Sequence, residues 1–463
     1  MDDSTIGPHT PNQVSNGSRK DLPGIWNMKL PYQPRSQSKT GQLQYSELYT
    51  SPPARKLRLL LVITRLTVGG DTNVVLDIAR YFNNHPGFEV EIAAGPVPAN
   101  EIDLSSLVRE SRIPTSIIPT LANCRDPRLL MNATFKLARL IRRKQFDIVH
   151  THSSAAGIVG RLAAVTARVP VIVHHVHGWG LQEGMSMPVR HSYLGLERLC
   201  ARFTKRLVAV SAPTIHKGLS HHIGSREKYA LIYNGINLQQ FQQQTDDPKM
   251  RQELGLDPDC KVVGMIGRLD KQKNPLDFIR AAAVVERHYP HAQFLIIGDG
   301  ALRVECEQMI NKLNLGGRCI LLGFRSDVAK LLPLITVVVS TSLWEGLPVV
   351  FQEAMCAGKP IVSNDVDGVS DVVREGETGY LVAPRCPKET ANRVLRLLND
   401  EKLCDRLGSR ARQDARKFST EQMLQDIERL YTQLAIPQQE ALKAQFLAYR
   451  DDLDIRKQKP KRV

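Results

Sequence analysis

The stretch that decides the fold of this chain is LLPLITVVVSTSLWEGLPVVFQE, residues 331–353. Its apolar run, 331–340, is typical of a buried strand, and Pro348 suits the first turn of a helix, where an N–H would lack a partner anyway. Glu345 then lies just before the helix and Glu353 within it. Free N–H groups at a helix start attract phosphate, and carboxylates accept hydrogen bonds from sugar hydroxyls. The combination suits a nucleotide-sugar ligand, although the spacing alone fits two ordinary helix-start charges equally well.

Short apolar runs alternate with amphipathic helical stretches on both sides of this unit, which predicts α/β architecture with parallel sheets. The predicted strands form two series, 57–64, 90–94, 113–118, 148–150, 171–174 and 207–211, then 262–266, 294–297, 319–322, 337–340, 360–363 and 380–382. The polar, turn-rich stretch from Asn234 separates the two series. We therefore expect domains at 55–238 and 239–420, with a helix at 421–436 added to the first domain and a ligand site in the cleft between them.

Both ends of the chain differ in composition from the rest. Residues 1–54 are rich in Pro, Ser, Gln, Asn and Gly without apolar periodicity, which predicts a disordered leader. Residues 437–463 end in a basic cluster, which predicts a solvated basic extension.

The composition limits the choice of partners and compartment. The net charge of +15 indicates an acidic partner, which could be nucleic acid, an anionic membrane surface or a phosphorylated substrate. Eight scattered cysteines indicate neither a zinc site nor a disulfide framework. No apolar run approaches the roughly 20 residues that span a bilayer. We expect a cytoplasmic protein.

Glycines and cations lie where the predicted strands end. Gly69 and Gly70 follow the first strand, and a glycine turn there lets a ligand approach the backbone. Arg268 and Lys273 follow the first strand of the second series, where two cations could straddle a diphosphate. Two further loops, Gly298-Asp299-Gly300 and Gly323-Phe324-Arg325, follow the next two strands. Plain turns and surface charges remain the alternatives for each of these.

Five histidines, at 150, 152, 174, 175 and 177, cluster in the first half. They fall at two separate predicted strand ends without a fixed metal-ligand spacing, so we predict no metal site. His177 is best placed to bond a ligand hydroxyl, with a satisfied buried histidine as the alternative. The Asp365-Val366-Asp367 triplet is interpreted as a turn.

Taken together, these segments resemble the retaining GT-B glycosyltransferases of family four over residues 57–434. The motifs that carry the resemblance occur in the family's order: Val68-Gly69-Gly70, His150-Thr151-His152, His177-Gly178, Val210-Ser211, Asn234-Gly235-Ile236, Gly267-Arg268, Lys273-Asn274, Gly298-Asp299-Gly300, Gly323-Phe324 and Glu345 through Glu353. Within the family the chain looks most like bacterial enzymes of capsule, exopolysaccharide or cell-envelope glycan assembly. The resemblance implies two Rossmann-like parallel-sheet domains that face each other across a cleft.

The resemblance also implies roles for individual residues. Arg268 and Lys273 would bind the diphosphate of a donor, expected to be a UDP-sugar, and Glu353 would bind its ribose. Glu345, with the backbone after Gly346, would hold the transferred sugar and phosphate. The remaining implied contacts are His177 to the donor sugar, Gly69 and Gly70 toward the acceptor and leaving diphosphate, and Gly267, Gly298, Phe324, Arg325, Leu347, Val349 and Val350 around the donor. No cofactor and no metal is implied. Asn237, Asp367 and Asp371 depart from the family pattern, which leaves the donor sugar open.

Two basic helical stretches in the first half carry apolar or aromatic residues. One contains Phe135, Lys136, Arg139, Arg142, Arg143 and Lys144, and the other contains Arg190, Tyr193, Arg198, Arg202, Phe203, Lys205 and Arg206. They predict peripheral attachment to the inner face of the plasma membrane and a lipid-pyrophosphate-linked glycan acceptor, with solvated helix faces as the alternative.

Two other functions remain open from the sequence. A GT-B relative could epimerise or phosphorolyse a nucleotide sugar instead of transferring it. A basic nucleic-acid-binding or scaffold protein is less favoured, because no nucleic-acid module and no aromatic stacking pattern accompanies the charge, and we predict no nucleic-acid partner.

Overall fold

The computed structural model describes residues 55–99, 101–121, 126–181, 185–366 and 368–435. The predicted leader at 1–54, the basic extension at 437–463 and Asp367 lie outside the described residues. Within them, no helix is long and apolar enough to cross a membrane.

The first half is a seven-stranded sheet with helices at its crossovers. Its strands are β1 (Leu57–Arg65), β2 (Phe88–Gly95), β3 (Thr115–Ile117), β4 (Ile148–His152), β5 (Val171–Val176), β6 (Arg206–Ala209) and β7 (Tyr229–Leu231). Its helices are α1 (Gly70–Asn83), α2 (Ser105–Glu110), α3 (Pro127–Lys144), α4 (Ser154–Thr166), α5 (Met187–Phe203) and α6 (Ala212–Ser220). The strand order is β3-β2-β1-β4-β5-β6-β7.

The second half is a six-stranded sheet built in the same way. Its strands are β8 (Lys261–Ile266), β9 (Ala292–Ile297), β10 (Cys319–Gly323), β11 (Val337–Ser340), β12 (Ile361–Asn364) and β13 (Gly379–Val382), in the order β10-β9-β8-β11-β12-β13. Its helices are α7 (Leu238–Gln242), α8 (Pro248–Glu253), α9 (Pro275–His288), α10 (Arg303–Lys312), α11 (Val328–Leu331), α12 (Val349–Cys356), α13 (Pro387–Asn399) and α14 (Glu401–Asp414).

All neighbouring strands pair in parallel, which confirms the predicted α/β class with two parallel sheets. In each sheet the strand order reverses at one place, between β1 and β4 in the first and between β8 and β11 in the second. Ligands of open α/β sheets bind outside the carboxyl ends of the strands at such switch points. The loops that follow β1, β4, β8 and β11 are therefore the first places to look for a site.

A last helix, α15 (420–435), returns the chain to the first half. Its apolar face, which includes Met423, Ile427 and Tyr431, packs in one core with residues of β1, β2 and α1. The two chain crossings lie side by side, since Ile236 N donates to Phe418 O at 2.8 Å and Thr420 N donates to Ile236 O at 3.1 Å. The two halves thus share a double connection.

Three local predictions were wrong. The apolar run 331–340 begins as a helical turn, and only Val337–Ser340 is strand, because Pro333 has no N–H to give to a sheet ladder. Pro348 lies at the position before α12 instead of in its first turn. Strand β3 covers three residues of the predicted six. The polar stretch predicted to separate the two series of strands also contains the short helices α7 and α8, and Phe241 packs into the core of the second half.

Candidate active site

Segments that follow strands at the carboxyl edges of the two sheets touch each other across the halves. A methyl group added to Gly346, in the loop between β11 and α12, would overlap the carbonyl oxygen of His177, which follows β5. One added to Gly70 would lie 3.0 Å from the Val349 side chain at the start of α12. The glycines allow this close backbone approach, which places the predicted acceptor-side and donor-side loops at one cleft.

Lys273 and Glu345 form the central ion pair of this cleft. Nζ of Lys273 lies 2.5 Å from Oε1 of Glu345, and both side chains are mostly buried, at 18% and 7% exposed. Asp270 Oδ1 accepts a hydrogen bond from Lys273 N, and Thr341 Oγ1 donates to the carbonyls of Lys273 and Asn274. The loop after β8 is thus bonded to the loop after β11, and this contact holds the pair in place.

Arg268 lies at the rim of the cleft. Its side chain is 66% exposed, and its guanidinium donates to Asp270 at 2.9 Å and to Gln272 at 3.1 Å. Gln272 in turn donates to the carbonyl of Trp344, in the loop that carries Glu345. The second predicted cation is therefore near the same loop but remains accessible to solvent and to a ligand.

Glu353 lies on α12, two turns from Glu345, and its carboxylate has no hydrogen-bond donor among the described residues. Burial alone raises the pKa of Glu353 to about 7, because no described cation faces it. The first two N–H groups of α12, those of Val349 and Val350, have no intrahelical acceptor, and Pro348 before them provides no side-chain cap. Helix α12 thus combines an anion-attracting start with a partly buried carboxyl group that no described residue contacts by a hydrogen bond.

The glycines of the second half mainly bring backbones together. Gly267 and Gly298 both have positive φ angles, 157° and 138°, and a methyl group on Gly298 would overlap the carbonyl of Gly267. Gly298 N also donates to Gly323 O at 2.8 Å. The loops after β8, β9 and β10 are thus stacked directly on one another at the sheet's carboxyl edge, an arrangement that larger residues would prevent.

The other residues predicted to contact the donor differ in their exposure to solvent. Phe324 is 51% exposed, whereas Arg325 is held by two hydrogen bonds to Asp327 at 2.8 and 2.6 Å. Leu347 is buried at 6% exposure in the core, so only its backbone could face a ligand. Val349 and Val350 are partly buried against the same core.

The sequence did not point to Asp71 and Ser153, which meet at the switch point of the first sheet. Ser153 Oγ donates to Asp71 Oδ2 at 2.7 Å, and Thr72 N donates to Oδ1 at 3.0 Å. Ser153 has a φ of 62° and a ψ of 161°, a combination that costs a residue with a side chain about 1–3 kcal/mol. The charge of Asp71 also acts on His177, raising its pKa against the larger lowering effect of burial, which brings it to about 4. The position of Asp71 directly after Gly69-Gly70 was the available signal.

The sequence suggested that the histidines lie at two separate strand ends, but the structure brings them together. Strands β4 and β5 are neighbours, and their register sets His152 beside His175. Nδ1 of His152 lies 3.1 Å from Nε2 of His177, so the ring predicted to contact the donor sugar is held from behind by a second imidazole. His174 points to the other face of the sheet, where Nδ1 lies 2.9 Å from Thr151 Oγ1.

Two protein-family profiles match the chain. "Glycosyltransferase Family 4" covers residues 68–240, and "Glycosyl transferases group 1" covers residues 246–414. These segments correspond to the two sheets described above. No single profile extends across both.

Individual proteins resemble the chain over most of their length. The "UDP-Gal:alpha-D-GlcNAc-diphosphoundecaprenol alpha-1,3-galactosyltransferase" of Escherichia coli is 32% identical over 322 residues, which are 66% of this chain and 83% of that protein. The "Capsular polysaccharide biosynthesis glycosyltransferase CapM" of Staphylococcus aureus is 25% identical over 312 residues, 65% of this chain and 80% of CapM.

A solved structure shows the same arrangement of domains. The crystal structure of Anabaena HepE in complex with UDP and glucose has a TM-score of 0.70 and 25% identity, and covers 81% of this chain and all of HepE. Two matched profiles, a relative of known activity and this fold agree with the resemblance that the motifs indicated. The chain belongs to the family-four glycosyltransferases of the GT-B fold, whose similar members include enzymes of bacterial polysaccharide and cell-envelope biosynthesis.

Proposed function

We propose that this protein transfers a hexose from a UDP-sugar to a glycan acceptor carried on a lipid diphosphate, with retention of configuration at the transferred carbon. The observation that carries the proposal is the Lys273–Glu345 pair beside the start of α12, with the partly buried carboxyl group of Glu353 on that helix. One cation, one helix start and two carboxyl groups match the charges and hydroxyls of a nucleotide sugar.

The donor diphosphate binds between Lys273, Arg268 and the start of α12. Lys273 exchanges part of its interaction with Glu345 for a phosphate oxygen, and Arg268, exposed at the rim, closes on the other phosphate. Glu353 accepts hydrogen bonds from the ribose hydroxyls, since no described residue donates to its partly buried carboxylate. Glu345 then holds the hydroxyls of the transferred sugar.

The cations stabilise the bond-breaking step. As the bond between the sugar and the diphosphate breaks, negative charge develops on the leaving phosphate, and Lys273 and Arg268 offset it in place of a metal ion. The acceptor hydroxyl attacks from the side of the leaving group, and a departing phosphate oxygen takes its proton. This route retains configuration and needs no enzymic nucleophile, in contrast to the two-carboxylate hydrolases.

The acceptor enters from the first half, past Gly69, Gly70 and Asp71. Support for a lipid diphosphate comes from the E. coli galactosyltransferase, whose name states a diphosphoundecaprenol acceptor. Such an acceptor is anchored in a bilayer, so the enzyme must work at a membrane surface.

Helix α3 supplies the surface that fits this requirement. Met131 and Phe135 are 67% and 69% exposed, and with Arg139 and Arg142 they line an open groove of about 370 Å³ between α3 and α4. Exposed apolar side chains among cations are typical of helices that lie on anionic lipid. We propose that this face attaches the enzyme to the inner face of the plasma membrane.

The second predicted basic helix, α5, contributes fewer side chains to the proposed membrane surface than the sequence suggested. Phe203 is 45% exposed, but Tyr193 turns inward, where its hydroxyl accepts a hydrogen bond from Gly180 N at 3.0 Å. Arg198 donates to the carbonyl of His221 at 2.9 Å. Tyr193 is therefore removed from the proposed membrane surface.

A product assay tests the transfer. Purified enzyme is incubated with UDP-galactose, UDP-glucose, UDP-N-acetylglucosamine or GDP-mannose and a synthetic GlcNAc-diphosphate-lipid, and the products are identified by mass spectrometry and by the anomeric coupling constant. We expect an α-linked disaccharide lipid from one UDP-sugar, at a rate that added Mg²⁺ or Mn²⁺ does not raise. An epimerised or phosphorolysed sugar formed without acceptor would refute transfer, and a β-linked product would refute retention.

Sedimentation with vesicles tests the membrane surface separately. We expect binding to vesicles containing phosphatidylglycerol at low salt, weaker binding for Phe135→Ser combined with Arg139→Ser, and unchanged transfer to a water-soluble short-chain acceptor. Equal binding of the variant and the wild type would remove α3 from the membrane proposal without touching the transfer activity.

A further inference from the structure

Four histidines lie on one face of the first sheet, below the cleft. His150 and His152 come from β4, His175 from β5 and His177 from the residue after β5 has ended. The ring centroids of His150 and His152 are 4.3 Å apart, and those of His175 and His177 are 4.4 Å apart and parallel within 4°. We call these four residues the histidine ladder. Its lower three members are fully buried.

The ladder contains ring nitrogens that no described group satisfies. These are Nε2 of His150, Nε2 of His152, both nitrogens of His175 and Nδ1 of His177. A buried polar atom without a partner destabilises a fold by about 1–3 kcal/mol, so an apolar side chain at any of these positions would be a more stable filling. Five such nitrogens in one cluster indicate a ligand that binds to imidazole.

Three of the unsatisfied rings converge. One nitrogen from each of His150, His152 and His175 lies within 4.8 Å of the other two. Ligand nitrogens of a tetrahedral zinc site are about 3.3 Å apart, as follows from bonds of about 2.05 Å. Small rotations of the three rings would close the remaining distance, because an ion replaces their mutual repulsion with attraction.

The outer nitrogens of two rings are already oriented. Nδ1 of His150 lies 2.6 Å from the hydroxyl of Tyr431, on α15, and Nδ1 of His152 lies 3.1 Å from Nε2 of His177. In both His150 and His152, Nδ1 makes the contact, so Nε2 is the nitrogen left to face the centre of the three rings. Histidine ligands of metal sites are held in this manner through the ring nitrogen that does not bind the metal.

The surroundings of the rings also suit a metal. His150, His152 and His175 are fully buried, which disfavours the charged imidazolium form. Neutral imidazole is the form that binds metals. His177 is partly exposed, and its ring stacks on that of His175.

We propose that His150, His152 and His175 form a binding site for one divalent transition-metal ion of the Zn²⁺, Co²⁺ and Ni²⁺ group. An all-nitrogen ligand set selects these ions over Mg²⁺, Ca²⁺ and Mn²⁺, which prefer oxygen. The site lies on strands of the first half, whereas Lys273 and Glu345 belong to the second, and the ion takes no part in neutralising the donor diphosphate. Its occupant holds β4 and β5 together below the cleft and, through His152, orients the ring of His177.

Metal titration of tag-free, chelator-treated full-length protein tests the site. Zn²⁺ binding is followed by calorimetry and by elemental analysis after gel filtration, and Co²⁺ binding by the intensity of its visible absorption bands, which reports tetrahedral coordination. We expect one ion per chain. His175→Gln should weaken Zn²⁺ binding by about 100-fold or more, and Tyr431→Phe, which keeps every ligand, by about 10- to 100-fold.

His174→Gln is the matched control, since it changes the neighbouring residue on the opposite face of β5. We expect its Zn²⁺ affinity to match the wild type, with circular dichroism and the metal-free melting temperature confirming the fold of every variant. Less than about one-tenth of an ion per chain in the wild type, or equal losses in His174→Gln and His175→Gln, would overturn the proposal. If His175→Gln does not fold, unchanged affinity in Tyr431→Phe would overturn it instead.

Discussion

The ammonium group of Lys273 lies 2.5 Å from the carboxylate of Glu345, although 72 positions separate the two residues in the chain. Each follows a strand of the same sheet, β8 and β11, and these strands are neighbours at the switch point. Parallel strands bring their carboxyl ends to one edge, so topology joins the pair before any ligand is present. The pair keeps a mostly buried ammonium ready for an incoming phosphate.

Replacing Lys273 with alanine is expected to lower kcat/KM for transfer by about 100- to 1,000-fold, because a charge that stabilises the leaving diphosphate is lost. Glu345 would also remain mostly buried without its cation, which repels the donor. UDP affinity, measured by calorimetry, should fall together with the rate.

The matched control is Lys271→Ala. Lys271 is exposed and lies two residues before Lys273 in the same loop. Its removal changes net charge by the same amount and should leave both UDP affinity and transfer within about twofold, as for most surface substitutions. Equal losses in the two variants would mean that general charge, and not the Glu345 pair, attracts the donor.

The sequence predicted those parts of the site that depend on strand order alone. Lys273 and Glu345 lie in loops that follow two strands of one sheet, and Glu353 lies on the helix after the second loop. The carboxyl ends of parallel strands must meet at one edge. The contact of Ser153 with Asp71 could not be predicted from the sequence, because it requires a strained backbone at Ser153 that the residue types do not indicate.

The sequence did not predict the histidine ladder, for a different reason. Its assembly depends on the pairing of β4 with β5 and on the register that sets His152 beside His175. A shift of one residue would turn either row of rings to the opposite face. The partner of His150, Tyr431, comes from the far end of the described chain, 281 positions away. Local patterns carry no information on such a contact.

Gly346→Ala is expected to separate the two halves locally. Its methyl group would overlap the carbonyl oxygen of His177, and backbone on both sides leaves no flexible atom to yield. A displacement of about 1 Å in a reacting site can lower a rate by about 100-fold, and we expect a loss of that size in kcat for transfer. Gly195→Ala serves as the control, because Gly195 is exposed on α5 with open space around it. That change should leave transfer intact and stabilise the fold by about 1 kcal/mol.

Asp71→Asn is expected to affect the acceptor side of the cleft. The carboxylate accepts hydrogen bonds from Ser153 Oγ and Thr72 N and faces His177, so an amide loses the charge and must turn its NH₂ toward one of these donors. We expect kcat for transfer to fall by about 10- to 100-fold, with UDP affinity changed less than about twofold. A parallel loss of UDP affinity would assign Asp71 to the donor side instead.

Glu353 should make the stability of the ligand-free protein depend on pH. Burial raises its pKa from an ordinary value of 4.5 to about 7. Between about pH 4.5 and 7 the unfolded chain has released this proton while the folded chain retains it, so the free energy of unfolding falls as the pH rises through this window. The full loss, above pH 7, is at most about 3 kcal/mol. Glu353→Gln removes this titrating carboxyl group. The melting temperature of the variant should exceed that of the wild type at pH 8 but match it near pH 4.5.

Asp77 on α1 provides a control with the same titration in another place. Burial raises its pKa from 3.8 to about 7, and it has no part in the proposed donor site. Asp77→Asn should therefore also raise the melting temperature at pH 8. The two variants should differ when UDP is added. UDP should raise the melting temperature of the wild type and of Asp77→Asn. Glu353→Gln offers a weaker acceptor to the ribose hydroxyls, so it should bind UDP about tenfold less tightly and its melting temperature should rise less. An equal UDP shift in both variants would show that Glu353 is buried for structural reasons and does not hold the donor.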